Sequence, residues 1–213
     1  MAAVEELLLH LDALVESWGA DVFLAPLAFL PARLAADFET AVEATLSGYL
    51  AIAGDAMRDV MEIENLLWDF SSEPTLVNQW LTADDKTLRN RFSADAVRTR
   101  LHKAGVGRYQ ASAEAGDYRA HSATLHVTPA ALSTTPLHAK GRVPEHSYEN
   151  DAGFWEIFHH ARRLGSALAQ TRDALADRPD AVPRTELPAV EDAWRRTQEM
   201  QTAYLDQMRP GRG

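Results

Sequence analysis

The sequence predicts an all-α protein that folds as an irregular bundle of about six to eight helices. Apolar residues recur at intervals of three and four through most of the 213 positions, as on the buried face of a helix. No stretch of useful length alternates apolar and polar residues, and no repeat of fixed period is visible. These observations favour a helical bundle over a sheet protein or a solenoid, and we expect residues 1–213 to form a single domain.

Composition narrows the chemistry that the chain supports. A hydrophobic fraction of 46% is ordinary for a globular protein and supplies a sizeable core. The absence of cysteine excludes disulfides, zinc–thiolate sites, iron–sulfur clusters and a cysteine nucleophile. A formal net charge of −10 argues against broad electrostatic attraction to nucleic acid or anionic lipid, although RNA contact at one local basic cleft stays compatible with it.

The sequence gives no sign of a membrane or targeting segment. Glu5 and Glu6 stand where a signal peptide needs a basic region, and Pro26 and Pro31 interrupt the apolar stretch of residues 22–36. That stretch is also too short to span a bilayer. We therefore expect a soluble, cytoplasmic protein without a membrane partner.

Two helices are expected before residue 54. The first ends at Gly19 and carries apolar residues at helical spacing, namely Val4, Leu7, Leu8, Leu11, Leu14, Val15 and Trp18. The second begins at Pro31, because the missing N–H of a first-turn proline has no helical partner to lose. Gly48 and Gly54 predict a break or bend near its end.

A third predicted helix, residues 55–70, is apolar around most of its circumference and should lie at the centre of the bundle. Its remaining polar residues fall in one narrow stripe, formed by Arg58, Glu62, Asn65 and Asp69. Arg58 and Glu62, four residues apart, form either a buried or cleft-lining ion pair or an exposed strip of surface charge. The sequence leaves both alternatives open.

Short helices, a long loop and a C-terminal helical pair complete the predicted architecture. A serine of the pair at 71–72 is a candidate cap for a short helix that includes Pro74, and Ser93 and Gly105 delimit another. Residues 127–150 contain three prolines and little periodicity, which predicts a long loop. Apolar residues at helical spacing within residues 151–208 predict the C-terminal helical pair.

Metal-binding patterns are weak. Glu156 and His159 have the Glu-x-x-His spacing of a di-iron bundle, but such a site needs two of these motifs and the sequence contains one. The plainer interpretation places His159 and His160 at the edge of an amphipathic helix. His121 and His126 lie about 140° apart around a helix and do not readily share a metal. A ferritin-like metal-binding bundle is therefore the weaker alternative.

The segment DYRAHSATLHVTP, residues 117–129, carries the sharpest chemical signal. Asp117 is expected to cap a helix that Pro129 closes. Arg119 and His126 share one face of that helix, about 10 Å apart along its axis. The helix dipole favours a protonated imidazole in the last turn, which suits His126 for proton transfer. Two such helices, antiparallel across a two-fold axis, would bring Arg119 of one protomer toward His126 of its partner.

This pattern resembles the motif of the HEPN superfamily, in which an arginine is followed after four to six residues by a histidine on an inner helix. Arg119 and His126, with six residues between them, have this spacing. A bacterial branch of HEPN-like proteins is similar in more detail, since an Arg-x3-Glu helix there precedes a Tyr-x3-Ser-x3-His-x2-Pro helix. The similarity covers about residues 31–129, the HEPN-like core.

The resemblance implies a metal-independent endoribonuclease without cofactor, acting as a homodimer with a composite site at its interface. His126 would act as general base toward a ribose 2′-hydroxyl or as acid toward the leaving oxygen, and Arg119 would stabilise a phosphorane-like transition state. The residues that would position the substrate or support the site are Tyr118, His121, Ser122, Arg58 and Glu62. Such nucleases are often toxins or defence effectors paired with an antidote or regulatory protein.

A non-catalytic HEPN-like module for dimerisation or ligand binding is the alternative function. Ala120 stands where many catalytic members have Asn or Asp immediately after the arginine. The acidic balance of the chain and the lack of a basic surface also favour this alternative. The sequence is compatible with both functions.

Overall fold

The computed structural model describes residues 2–106, 148–182 and 187–208. Within these ranges the chain forms eight α-helices and no strand, which confirms the predicted all-α irregular bundle. The helices are α1 (Ala2–Ala20), α2 (Phe29–Leu46), α3 (Leu50–Ser72), α4 (Thr75–Leu81), α5 (Asp85–Arg91), α6 (Ala94–Ala104), α7 (Tyr148–Leu175) and α8 (Pro188–Met208). Single turns of 3₁₀ helix follow α1 at Ala25–Leu27 and α7 at Pro179–Ala181.

Helix α3 lies at the centre of the bundle, as its apolar circumference predicts. It packs against α2, α4, α6 and α7. Met57, Val60, Leu67 and Phe70 of this helix are almost completely buried. Because α3 has neighbours on several sides, its polar side chains meet other helices rather than only solvent.

Helices α2 and α7 approach each other closely beside the start of α3. A Cβ atom on Gly153 of α7 would lie 2.6 Å from the Thr45 Cγ2 atom of α2, well inside van der Waals contact. The absence of a side chain at Gly153 therefore permits this approach. Thr45 is fully buried in the contact.

Asp21 joins the end of α1 to the end of α7. Its Oδ1 atom accepts hydrogen bonds from the backbone N–H groups of Phe23 and Leu24, at 2.9 and 3.0 Å. Its Oδ2 atom accepts from the N–H groups of Asp177 and Arg178, at 2.9 and 3.3 Å. Burial raises the pKa of the Asp21 carboxyl, but these four donors outweigh burial and hold the pKa below its ordinary value.

Glu6 makes a second link between α1 and the C-terminal part of the chain. Its Oε2 atom accepts from the backbone N–H groups of Ala189 and Val190, at 2.9 and 3.1 Å. These groups belong to the first turn of α8, where N–H donors lack helical partners and a carboxylate is favourable. Glu6 therefore caps α8 from another helix.

One apolar cluster connects α1, α2, α3, α7 and α8. Its largest fully buried side chains include Trp18 of α1, Phe38 of α2 and Phe70 of α3, and α7 and α8 add Leu164 and Val190. The C-terminal helices thus pack into the same core as the first three. None of the helices in the described ranges is both long enough and apolar enough to cross a membrane.

The structure confirms the predicted ends of α6 and the break before α3. Ser93 Oγ accepts a hydrogen bond from the Ala96 backbone N–H at 3.4 Å, and Gly105 ends α6 with a φ of +62°. Gly48, with a φ of +76°, separates α2 from α3. Both glycines adopt a left-handed backbone conformation that other residues rarely take. Gly54, the second predicted break, lies inside α3.

The predicted serine cap before α4 was wrong. Ser71 and Ser72 belong to the last turn of α3, and their hydroxyls donate to the carbonyls of Trp68 and Asp69 at 2.9 and 2.8 Å. Serine hydroxyls commonly bond back to the preceding turn in this way, and so they do not serve the next helix. The N-cap position of α4 is Pro74, which makes no side-chain cap.

Three helix starts and one whole helix differ from the prediction. Helix α3 begins at Leu50, five residues before the predicted start at residue 55. Helix α2 begins at Phe29, two residues before Pro31. Helix α7 begins at Tyr148, so the last three residues of the predicted loop at 127–150 are helical. Helix α5 was not predicted, because Leu88 is its only apolar residue and gives no periodic pattern.

Candidate functional site

The five predicted site residues near Pro129 lie outside the residues that the structure describes. They are Tyr118, Arg119, His121, Ser122 and His126. Arg58 and Glu62, the other two predicted site residues, are both on α3. The described part of the candidate site therefore consists of α3 and the helices packed against it.

Arg58 and Glu62, both on α3, form a loose ion pair at the edge of the helical bundle. The Arg58 Nε atom lies 4.0 Å from Glu62 Oε1, and Arg58 Nη2 lies 3.5 Å from Asp55 Oδ1. The two side chains are 32% and 37% exposed, which is intermediate between the buried pair and the surface strip that the sequence left open. At these distances and exposures the pair contributes little to stability.

The polar stripe of α3 continues inward from this pair. Helical geometry places Arg58, Glu62, Asn65 and Asp69 within an arc of about 60°. Asn65 and Asp69 are only 2% and 1% exposed. The predicted narrow stripe therefore exists, and it runs from the rim of the bundle into its interior.

Asp69 is held by an arginine of α6. Arg100 approaches the carboxylate with two nitrogens, Nε at 3.1 Å from Oδ1 and Nη2 at 2.5 Å from Oδ2. The same guanidinium lies 5.4 Å from the centre of the Phe92 ring. A two-pronged arginine contact satisfies a buried carboxylate well, so Asp69 serves to attach α6 to α3.

Asn65 has no such partner. Neither its Oδ1 nor its Nδ2 atom makes a hydrogen bond within the part of the chain that the structure describes, although both atoms are buried. A buried amide without partners costs free energy of about 1–3 kcal/mol. Asn65 is therefore the member of the stripe that packing explains least.

The interpretation that all polar residues of α3 lie in the stripe was wrong, because Asp59 and Glu64 lie on other faces. Glu64 is 3% exposed, and its Oε1 atom accepts from Arg163 of α7 at 3.1 and 3.3 Å. Trp68 Nε1 also donates to this oxygen at 3.4 Å. Burial of the glutamate is tolerated because an arginine from the neighbouring helix pairs with it.

Helix α7 places a second set of polar groups against α3. Thr171 is fully buried, and its Oγ1 atom donates to the Leu67 carbonyl at 3.0 Å. Arg163 and Thr171 both contact α3, and His160 lies between them around the helix. His160 is fully buried, with its Nε2 atom 3.5 Å from Glu156 Oε2.

The expectation that both histidines lie at a helix edge holds for His159 and was wrong for His160. His159 is partly exposed and stacks on Trp155, with ring centres 4.9 Å apart. His160 follows Ile157 by three residues and precedes Leu164 by four, which puts it in the buried row of α7. That spacing was readable in the sequence.

A pair of carboxyl groups lies between α2 and α3. Arg33 Nη2 lies 2.6 Å from Asp59 Oδ2, and Arg33 Nε lies 3.4 Å from Asp37 Oδ2. Burial and then the neighbouring Asp59 carboxyl raise the pKa of Asp37 to about 7, although Arg33 acts in the opposite direction. This pair is able to take up or release a proton near neutral pH.

A groove of about 340 Å³ separates α7 from the start of α8. It is lined mainly by small and apolar residues, including Ala161, Gly165 and Pro188. Arg162 pairs with Glu191 at 2.6 Å and stacks over Trp194. Because its charged groups already satisfy each other, the groove offers little chemistry.

Within residues 2–106, 148–182 and 187–208, no three His, Asp or Glu side chains are grouped so that they could hold a metal ion. The sequence did not point to the cross-helix pairs that organise the α3 surroundings, Glu64 with Arg163 and Asp69 with Arg100. Their partners are 99 and 31 residues apart, and single-sequence periodicity does not report such pairings.

Comparison of the chain with models of known protein families, with curated proteins and with solved structures finds no match.

Proposed function

We propose that this protein is a metal-independent endoribonuclease of the HEPN-like type that acts as a homodimer, with Arg119 and His126 as its catalytic residues. His126 removes the proton from a ribose 2′-hydroxyl, and the 2′-oxygen attacks the adjacent phosphorus. The bond from phosphorus to the 5′-oxygen breaks, and that oxygen takes up the proton that His126 removed. The products are a 2′,3′-cyclic phosphate and a 5′-hydroxyl end.

Arg119 stabilises the negative charge of the transition state in this scheme. The attacked phosphorus passes through a phosphorane-like state with added negative charge on its oxygens, and a guanidinium stabilises such charge without a metal ion. Tyr118, His121 and Ser122 position the RNA. Arg58 and Glu62 support the catalytic helix from behind.

The polar stripe of α3 is the observation that carries the proposal. Helix α3 keeps Asn65 buried without a partner among the described residues, on the same face as Arg58 and Glu62. Local departures from good packing are expected where a protein keeps residues for function. The stripe belongs to the Arg-x3-Glu helix, one of the two segments on which the resemblance rests.

A non-catalytic dimerisation or binding module is the second candidate, and charge pairing favours it. Nine of the twelve arginines in the described ranges lie within 4.0 Å of a carboxylate oxygen. Most of the arginines in these ranges are therefore paired within the chain. Ala120 also stands in place of a polar neighbour of Arg119.

The test is RNA cleavage in the presence of EDTA by the wild type, His126→Ala and Arg119→Ala. We expect the wild type to cut and His126→Ala to be slower by about 10²–10⁴, the usual contribution of a positioned proton-transfer group. Arg119→Ala should be slower by about 10²–10³, the usual contribution of one charge-stabilising group. Arg195→Ala, which removes an exposed arginine on α8, is the matched control and should retain the wild-type rate.

Two results would contradict the proposed nuclease activity. Intact RNA after incubation with the wild type would leave the binding module as the function. Equal cleavage by wild type and His126→Ala would show that the activity does not depend on this site. Sedimentation of the same samples measures whether the chain is a dimer.

A further inference from the structure

Charge is distributed unevenly along this chain. Residues 86–106, which we call the basic hairpin, hold six Lys or Arg residues and one Asp, a formal charge of +5. The whole chain carries −10, so the rest of it carries −15. The hairpin comprises most of α5, all of α6 and the turn between them. An acidic protein thus carries a locally basic segment, contrary to the expectation that it lacks a basic surface.

Four of the six cations of the hairpin have no ion-pair partner among the described residues. Among the Lys and Arg side chains that the structure describes, five have no carboxylate oxygen within 4.0 Å. They are Lys86, Arg89, Arg91, Lys103 and Arg178. Four of the five belong to the basic hairpin, and all four are exposed.

Helix dipoles account for only part of this concentration. Basic residues in a last turn stabilise a helix, and Arg89, Arg91 and Lys103 occupy such positions. However, α1, α2, α3 and α4 have no basic residue in their last turns. Lys86 lies in the first turn of α5, where the dipole disfavours a cation.

The hairpin is attached to the bundle by side chains other than the free cations. Phe92, at the turn, is 8% exposed. Arg100 bonds to Asp69 of α3 and also donates to the Arg91 carbonyl, which joins α6 both to the core and to the end of α5. Val97 and Leu101 lie on the inner face of α6 and are buried. The free cations therefore extend from an anchored support.

The outer surface of the hairpin exposes no large apolar side chain. None of the large apolar side chains that the described structure exposes lies in residues 86–106. A protein interface needs an apolar centre, and a membrane-binding helix needs an apolar face. A phosphodiester backbone requires only cations and polar groups. The surface therefore suits a nucleic-acid backbone better than a protein or a lipid bilayer.

We infer that the basic hairpin is a docking surface for the phosphate backbone of single-stranded RNA, contacted by Lys86, Arg89, Arg91 and Lys103. The choice of RNA rests on the proposed function, because an endoribonuclease must hold its substrate against an overall negative charge. Binding of this kind is independent of base sequence and weakens steeply with salt.

The test measures the affinity of full-length protein for a labelled single-stranded RNA of mixed sequence, by fluorescence anisotropy at several salt concentrations. His126→Ala serves as the background so that cleavage does not change the probe. Added to this background, Arg89→Ala with Arg91→Ala removes two unpaired cations. Arg195→Ala with Arg196→Ala removes two exposed arginines that pair with Asp192, and is the matched control in residue type and charge.

We expect the Arg89 and Arg91 variant to bind RNA at least about tenfold more weakly at low salt, and the Arg195 and Arg196 variant to bind like the background. Removing Lys86 and Lys103 as well should lower the slope of log affinity against log salt by about 3, since each phosphate contact on a single strand contributes about 0.7. Thermal unfolding of each variant shows whether it is folded.

Equal RNA affinity in the two double variants overturns the inference, as does an RNA affinity of the background too weak to measure. Loss of binding to anionic vesicles, or of self-association, with RNA affinity unchanged would assign the surface to another partner and also overturns it. RNA binding that depends on the hairpin, without RNA cleavage by the wild type, would support the docking surface and contradict the proposed nuclease activity. Equal cleavage rates in the wild type and in a hairpin variant with an intact His126 would contradict the docking surface but not the proposed nuclease activity.

Discussion

At the scale of single residues, Asp37 makes the stability of this protein depend on pH across the neutral range. Its pKa is about 7 in the folded chain, above its ordinary value near 4, because burial and the Asp59 carboxyl disfavour its charge. Between these two pKa values the folded state binds more protons than the unfolded state. The stabilisation that protonated Asp37 gives the folded state is therefore complete at acid pH and is lost as the pH rises through about 7.

Asp37→Asn should remove this dependence. We expect the variant to unfold several degrees above the wild type at pH 8 and to show a flatter Tm between pH 5 and 8, measured by calorimetry. Glu39→Gln, which changes an exposed carboxylate on the same helix, should follow the wild type. A wild-type Tm that rises with pH over this window would contradict the assignment.

Asn65 provides a second test at residue scale. Its amide has no hydrogen-bond partner among the described residues, so Asn65→Leu leaves no donor or acceptor newly unsatisfied there. We expect the variant to be more stable by about 1 kcal/mol, seen as a higher urea midpoint with an unchanged slope. If the proposed nuclease uses the stripe, RNA cleavage should fall at the same time.

Asn78→Leu on α4 replaces an exposed amide and is the control, because it should change stability little. A lower urea midpoint for Asn65→Leu would show that the amide makes favourable contacts in solution.

At the scale of helices, the sequence predicts an element well when its apolar residues are numerous and regularly spaced. Helices α1 and α3 have clear periodic patterns, and the end of α6 follows from Gly105. Helix α5 has seven residues and little apolar content, so its only signal is the cap, in which Asp84 accepts from the Thr87 N–H at 2.8 Å. A cap without periodicity is a weak predictor.

The candidate site was predictable to a smaller extent than the helices. The stripe on α3 follows from spacing along one helix, and the structure places its four residues on one face as expected. Which members are buried depends on neighbouring helices, so the inward position of Asn65 and the pairing of Glu64 with Arg163 were not readable. Arg119 and His126 remain sequence predictions, since they lie outside the described residues.

At the scale of the whole molecule, Asp21 joins parts of the chain that are far apart in sequence. Its carboxylate accepts four backbone hydrogen bonds, two of them from Asp177 and Arg178. Asp21→Asn replaces one accepting oxygen by an N–H₂ group that cannot accept. We expect a loss of about 2 kcal/mol at neutral pH, measured by urea unfolding.

The lowered pKa of Asp21 determines how the stability difference between wild type and Asp21→Asn changes with pH. The pKa of Asp21 is lowered in the folded state, so its contribution is present above the ordinary pKa and is lost as the pH falls through the folded value. The difference between wild type and Asp21→Asn should therefore shrink toward pH 3. Asp12→Asn, at an exposed position of α1, should show no comparable difference at neutral pH.

Glu6 of α1 and Asp21, which follows this helix, also bear on the order of events during synthesis on the ribosome. Glu6 is made 183 residues before the Ala189 N–H that it caps, and Asp21 is made 156 residues before Asp177. Contacts of such long separation form slowly, because a long loop of chain must close first. A nascent chain that ends before residue 177 therefore lacks both links, and the contacts of α1 with α8 are complete only after α8 has been made.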